Sequence, residues 1–475
     1  MRFRLAIWIV LALGAAVAAS ADVIVLKNGN RIIGTNVTSE NGRVTYQTSA
    51  GQLSIPQSIV ARIEHDGSSE ASGADAAPPV SAPQIEPAAG YEEIEHQTIH
   101  DDGVDYAFVA RLESDARTGS SAAIAKVAAA HYAAAQFFLS KGNTDNAIEQ
   151  YRQGLAVSPD NFGLLMNLAV LYLRQSQFTQ ALTPLQHARE VTPDSADVYK
   201  LIGWAYYGAN KTGQAIDAWK QAVKLRPDPD VVEALRKAER DQALESSYRE
   251  GETAHFDLKY SGSAAPELAR GILRALESDY QDLESQLDYT PPEPIGVVLY
   301  TGQAFQDITR APAWVGALND GRIRIPVQGL TSVTPELARE LKHELTHSFV
   351  GQKSHYRAPT WLQEGIAQWM EGSRSSANAS YLDDAAQKGV VPQLASLEGS
   401  WIGYSGDSAW LAYAWSLAAV ESIIDRGGVG DVSRVVGAMA SAPSAEEALQ
   451  QTLNCNYEQL QQQTADYLSR AYPSN

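Results

Sequence analysis

Apolar residues recur along this chain in two rhythms, and the change from one to the other marks its divisions. Between Asp22 and Glu64 they alternate with polar ones, through Val23-Ile24-Val25-Leu26, Arg31-Ile32-Ile33, Val44-Thr45-Tyr46 and Ile59-Val60-Ala61-Arg62-Ile63, broken by Asn28-Gly29, Asn41-Gly42 and Gly51. Period two puts successive side chains on opposite faces of a strand, and Asn-Gly between such runs provides the positive φ of a tight hairpin. Residues 22–65 are therefore expected to form a small β-barrel of about five short strands.

From Ala128 the rhythm is helical, and it repeats. Pro159, Pro193 and Pro227 are 34 residues apart, as are Ala147, Ala181 and Ala215. Ala134, Leu168 and Ile202 keep the same register, as do Phe138, Tyr172 and Tyr206; Tyr151, Leu185 and Trp219; and Gly154, Ala188 and Ala222. Small residues at one recurring place allow helices to cross closely, large ones fill the space between them, and proline ends each second helix. Residues 122–249 thus read as three helical pairs. The stretch from Val231 to Tyr248, with Val232, Leu235, Ala238 and Leu244, closes the stack.

Residues 250–475 mix both rhythms. Phe256 to Tyr260 alternates as a strand, Pro266 to Leu287 reads as a helix, and Ile295-Gly296-Val297-Val298-Leu299-Tyr300 is a buried strand. Asn319-Asp320-Gly321 turns into Arg322-Ile323-Arg324-Ile325-Pro326-Val327, where Pro326, lacking an N–H, marks an edge strand or a strand end. A helix is then expected from Thr334, whose hydroxyl caps the first turn, with Pro335 at the first helical position and Glu336 facing the positive end of the dipole.

That helix carries the candidate chemistry. Leu337, Leu341, Leu345 and Phe349 share one side, while His343 and His347, about 40° apart around the axis, share the other. Two imidazoles one turn apart suit a tetrahedral Zn²⁺, and Glu344 between them suits a general base. A third ligand is needed. Glu364 lies on the next helical pattern, where Leu362, Ile366 and Met370 are spaced by four and Gly372 supplies the stop.

Composition narrows the rest. Met1-Arg2-Phe3-Arg4, an apolar run from Leu5 to Val17 and Ala19-Ser20-Ala21 have the three parts of a secretory signal peptide, so residues 1–21 are expected to be removed. The run is shorter than the ~20 residues that span a bilayer, so no transmembrane anchor is expected after cleavage, and the protein is read as exported, periplasmic or secreted. Residues 66–121 begin as a disordered linker rich in Ala, Ser, Gly, Asp and Pro, and continue from 91 as a partly ordered stretch. A net charge of −19 argues against nucleic acid as a partner. The single cysteine, Cys455, excludes an intramolecular disulfide.

Three resemblances follow from these residues. The 34-residue period resembles the tetratricopeptide repeat, which implies a concave groove for a peptide or protein partner, or else a spacer. Residues 22–65 resemble an SH3-like barrel, implying a protein or cell-wall tether or an accessory domain. His343-Glu344-Leu345-Thr346-His347 followed by Trp361-Leu362-Gln363-Glu364-Gly365-Ile366-Ala367 resembles the gluzincin-type, peptidase MA-like zinc metallopeptidases. That likeness implies an α+β zincin-like domain over 250–475, His343, His347 and Glu364 as zinc ligands, Glu344 as general base, and a peptide or protein substrate. It implies also that the region from Ala313 to Val327 pairs with the substrate backbone. The oxyanion donor in that family is a Tyr or His outside the motif. With no histidine after His355, Tyr413 is expected to fill the role and Tyr404 is second. A non-catalytic envelope scaffold or assembly factor with a peptidase-like binding domain is the alternative.

Overall fold

The computed structural model describes residues 22–26, 31–40, 43–48, 51–56, 60–64, 91–100, 103–261, 266–301, 305, 318–319, 321–327, 329–399, 401, 404 and 406–472. The expected signal peptide, the two Asn-Gly turns, residues 66–90 of the linker and residues 313–317 lie outside these. The chain divides into two compact units, Met1–Ala71 and Ser72–Asn475.

The first unit is one antiparallel sheet of five strands: β1 (Asp22–Leu26), β2 (Arg31–Glu40), β3 (Arg43–Thr48), β4 (Gly51–Pro56) and β5 (Val60–Glu64), in the order β4-β3-β2-β1-β5. Register shifts occur between Thr35 and Thr38 of β2 and between Val25 and Leu26 of β1, and an irregularity of this kind bends the strand that carries it. Val44 is fully buried.

The second unit begins with α1 (Tyr91–Thr98), the short β6–β7 hairpin (Ile99–His100, Gly103–Val104) and α2 (Tyr106–Ala116). Three helical pairs follow: α3 (Ser121–Ser140) and α4 (Thr144–Val157), α5 (Phe162–Arg174) and α6 (Phe178–Val191), α7 (Ala196–Gly208) and α8 (Thr212–Leu225), then α9 (Pro229–Glu245). α1 and α2, in a stretch read from the sequence as the partly ordered end of a linker, form for a packing reason. Ile94, Val109, Leu112 and Ala116 cover Val127 and Ala130 of α3, a face that would otherwise meet water.

The repeat period also sets how the stack meets the rest of its unit. Gly142, Ser176 and Asn210, again 34 residues apart, occupy the turn inside each pair with φ of 71°, 57° and 57°. A Cβ on Gly142 would lie 2.6 Å from Cβ of Ser441. The Ser176 and Tyr356 hydroxyls are 3.3 Å apart. Asn210 packs where a Cβ on Gly296 would lie 3.2 Å from its Cγ. One edge of the stack is therefore docked along the C-terminal half.

There the chain forms a second sheet, of β8 (Arg249–Glu252), β9 (Phe256–Tyr260), β10 (Ile295–Tyr300), β11 (Leu318–Asn319) and β12 (Ile323–Pro326), in the order β11-β12-β10-β9-β8. β9, β10 and β12 run parallel, and the edge strands β8 and β11 are antiparallel to their neighbours. Pro326 stands at the end of its strand, as its missing donor requires. The helices are α10 (Pro266–Leu287), α11 (Pro335–Lys353), α12 (Thr360–Glu371), α13 (Ala379–Gln387), α14 (Gly406–Gly427), α15 (Val429–Met439), α16 (Ala445–Leu453) and α17 (Tyr457–Ala471).

Both faces of this sheet are covered, which is why β10 shows no polar alternation. Val297, Leu299, Ile323 and Ile325 join the core with α10 and α11. On the other face Val298 and Tyr300 meet Leu244 and Tyr248, at and beyond the end of α9. Arg322 and Arg324, alternating with the isoleucines, also point to that face. Arg324 holds Asp241 through two bonds of 2.9 and 3.1 Å, and Arg322 bonds Asp241 and reaches Glu245 at 3.0 Å. The Tyr300 hydroxyl donates to Glu245 at 2.8 Å and the Tyr207 hydroxyl to Asp241 at 3.0 Å. Two guanidinium groups and two carboxylates thus neutralise one another out of water. The segments 122–249 and 250–475, distinct by pattern, share this interface.

Removing one member of such a cluster leaves a charge buried and uncompensated. Asp241→Ala is expected to lower unfolding free energy by about 3–5 kcal/mol. Asp241→Leu combined with Arg324→Met should recover most of the loss. A denaturant titration of the full chain checks both, and a single variant within 1 kcal/mol of wild type would show that the cluster is solvated.

Candidate metal centre

The centre is built from two helices. Thr334 caps α11, its hydroxyl accepting the Leu337 amide at 3.2 Å. Leu337, Leu341, Leu345 and Phe349 sink into the core, which turns His343, Glu344 and His347 toward α12. α12 ends at Gly372, whose φ of 101° suits a left-handed cap. It lies close against α14 because residue 365 has no side chain. A Cβ there would meet the Ser416 carbonyl oxygen at 2.4 Å and Val420 Cγ2 at 2.7 Å. Glu364 is next to that contact, so the depth of α12 sets the reach of its carboxylate.

One donor atom each from His343, His347 and Glu364 converges within 4.8 Å of the others. His343 Nε2 lies 3.5 Å from Glu364 Oε2, and His347 Nε2 lies 3.8 Å from Glu364 Oε1. Both separations exceed a hydrogen bond. They are close to the ~3.3 Å between donors around a tetrahedral ion with bonds near 2.0–2.1 Å. Glu364 Oε2 is buried with no hydrogen-bond partner among the described residues. A buried carboxylate oxygen left so is costly, and a cation between the three groups would satisfy it. The donor set, two imidazoles and a carboxylate, fits Zn²⁺.

Glu371, which the sequence reading did not single out, completes the support. Its Oε2 stands 2.9 Å from His343 Nδ1, and its Oε1 accepts the Ser373 hydroxyl at 2.6 Å. An acceptor at Nδ1 puts the proton there and leaves Nε2 to face Glu364. The signal was present in the helical spacing, since Glu371 lies seven residues after Glu364 and so on the same face of α12. Gln368 lies between them, donating to the Glu364 carbonyl at 3.1 Å and to the Tyr413 carbonyl at 3.0 Å.

Burial governs the charges. It pushes the Glu344 carboxyl up to about 8 and the His347 imidazole down to about 4. Burial also opposes charge on His343, but the adjacent Glu364 carboxylate and the hydrogen bond to Glu371 outweigh it and raise that group well above its ordinary value. Glu364 is held low, its desolvation overcome by the two histidines. Tyr413 is half-buried, and its hydroxyl is pushed up by burial first and by the Glu364 and Glu344 carboxylates next. Tyr413 is therefore within electrostatic reach of the centre. Tyr404 is exposed and stacks on Trp401, whose ring in turn meets Tyr413 edge-on. His355 sits at φ 50° after α11 and is not part of the convergent set.

Residues 281–470 match the family model of the Peptidase MA superfamily, and residues 138–205 match that of a tetratricopeptide repeat. Protein CTR9 homolog of Arabidopsis thaliana is 32% identical over 101 residues, which are 21% of this chain and only 9% of that one. Among solved structures, the first TPR of Spaghetti (RPAP3) bound to an HSP90 peptide is 24% identical, with a TM-score of 0.24, over 24% of this chain and 93% of that one. The first TPR domain of the human RPAP3 protein is 25% identical, with a TM-score of 0.24, over 26% and 97%.

Replacing the Nδ1 acceptor isolates the supporting shell. Glu371→Gln is expected to weaken Zn²⁺ binding by about 10–100-fold with the fold intact. Competition with a chelator measures it, and unchanged affinity would show that His343 is oriented without Glu371.

Proposed function

We propose, for a chain whose tetratricopeptide repeats lead into a Peptidase MA superfamily domain, that it is an exported zinc peptidase. His343, His347 and Glu364 would hold Zn²⁺, Glu344 would act as general base, and Tyr413 would donate to the oxyanion. The observation that carries the reading is the convergence of three donor atoms within 4.8 Å, beside the buried Glu344 carboxylate on the helix that carries the two histidines.

Zinc, when bound, supplies a Lewis acid that polarises a carbonyl and brings the pKa of water to about 7. The chain's own groups do the rest. Glu344 takes a proton from the attacking water and delivers it to the amine nitrogen that leaves. The Tyr413 hydroxyl, kept protonated by burial and by the neighbouring carboxylates, donates to the oxygen that gains charge. The repeat stack would hold a protein or peptide partner. The antiparallel sheet of residues 22–64 is read as an SH3-like barrel serving as a tether. Export rests on the pattern of residues 1–21, and terminal sequencing of the exported protein should find Asp22 first; a Met1 terminus would contradict it.

Metal analysis of the purified protein is expected to give close to one zinc per chain, lost in His343→Ala, His347→Ala and Glu364→Ala. Glu344→Gln should retain zinc while turnover of a mixed peptide pool falls by about 10²–10⁴. Tyr413→Phe should also retain zinc and lower kcat by about 10²–10³. Full zinc in all three alanine variants would remove the metal assignment. A wild type that binds peptides and cleaves none would make the domain a non-catalytic binding module.

A further inference from the structure

The short hairpin of β11 and β12 touches both the helix that carries Glu344 and the last helix of the repeat stack. Asn319 is buried, and its side-chain amide donates to the Glu344 carbonyl oxygen at 2.8 Å and to the Ser348 hydroxyl at 2.7 Å. Its own carbonyl oxygen accepts the Gly321 amide at 3.2 Å, which fixes the orientation of the group. The Glu344 carbonyl lies mid-helix and already has the Ser348 amide as its intrahelical donor. The bond from Asn319 therefore does not rescue an unsatisfied acceptor. It ties one turn of α11 to the strand beside it.

On the returning strand, Ile323 is the register partner of Asn319, and Arg322 and Arg324 flank it. Their side chains end on Asp241 and Glu245 of α9, with Arg324 also reaching the Tyr207 hydroxyl of α7 at 3.3 Å and the Tyr300 hydroxyl at 2.7 Å. The leucine face of α11 sets which side of the helix turns to the core. The two-pronged amide adds a directional contact that narrows the rotation left within that packing.

We infer that Asn319 is a positioning residue for Glu344, and that the Arg322–Arg324 cluster anchors this position in the repeat stack. The stack thereby contributes to the geometry of the metal centre without touching it. Since a displacement of about 1 Å in a catalytic group costs on the order of 10² in rate, a tether at the Glu344 carbonyl is well placed to matter. The kinetic arm of the test rests on the peptidase reading; the exchange arm does not.

Asn319→Leu keeps the volume and removes both donors, and leaves the Ser348 hydroxyl free to bond back to the Glu344 carbonyl. In the full chain it is expected to leave zinc stoichiometry and melting temperature near wild type. Amide exchange across residues 343–348 should rise roughly tenfold, the loss of about one hydrogen bond. kcat should fall about 10–100-fold with KM unchanged. Asn319→Ser, which retains one donor, should fall between the two and serves if the leucine variant does not fold. Asp241→Leu with Arg324→Met, which keeps the interface neutral, should raise exchange at 343–348 although Asn319 is intact. Unchanged exchange in the Asn319 variants overturns the positioning role, and unchanged exchange in the double variant overturns the link to the stack. If exchange rises and the wild type cleaves nothing, the tether stands and the peptidase reading fails.

Discussion

The cluster of Asp241, Glu245, Arg322 and Arg324 is the constraint on which the second unit is arranged. Four charges lie out of water between α9 and the sheet, and they are tolerable there only because each acid is met by a guanidinium in good geometry. Such a cluster contributes little net stability compared with apolar packing, but it admits one relative placement of its two sides and penalises the others. It also closes the face of the sheet that α10 and α11 leave open. The repeat stack is for this reason a structural part of the peptidase-like half, and the recurring turns at Gly142, Ser176 and Asn210 extend the contact along its edge.

The candidate metal centre depends on that frame through helix placement. α11 has one face committed to the core, so its histidines have only one direction to point. α12 approaches to the depth that Gly365 permits, and Glu364 then reaches both imidazoles while Glu371 holds the first of them from behind. Desolvation does the remaining electrostatic work. The same burial that leaves Glu364 Oε2 without a hydrogen-bond partner among the described residues raises the Glu344 carboxyl.

Local signals in the chain were strong where structure is made locally. The Thr334 cap, the proline after it, the leucine stripe and the glycine stop of α12 all act within one helix, and all are found as read. The repeat is similarly local, because each pair packs on its neighbours and the same small and large positions recur. Residues 91–116 were less legible. Their apolar positions are few, and α1 and α2 form by covering the first repeat, a partner whose need for a cover no local pattern states.

What the sequence determined by itself was therefore the set of elements and the donor types: two imidazoles on one helix face, a carboxylate on the next helix, a stack of helical pairs ahead of them. What only the tertiary structure decided was how those parts meet. In the sequence Arg322 and Arg324 are only the polar positions of an alternating strand, and Asn319 is part of a turn. Each is buried because a helix more than seventy residues upstream, or a helix turn twenty-five residues downstream, lies against it. The physical reason is that periodicity records which face of an element avoids water, while a polar group can avoid water only with a partner, and the partner is chosen by the fold.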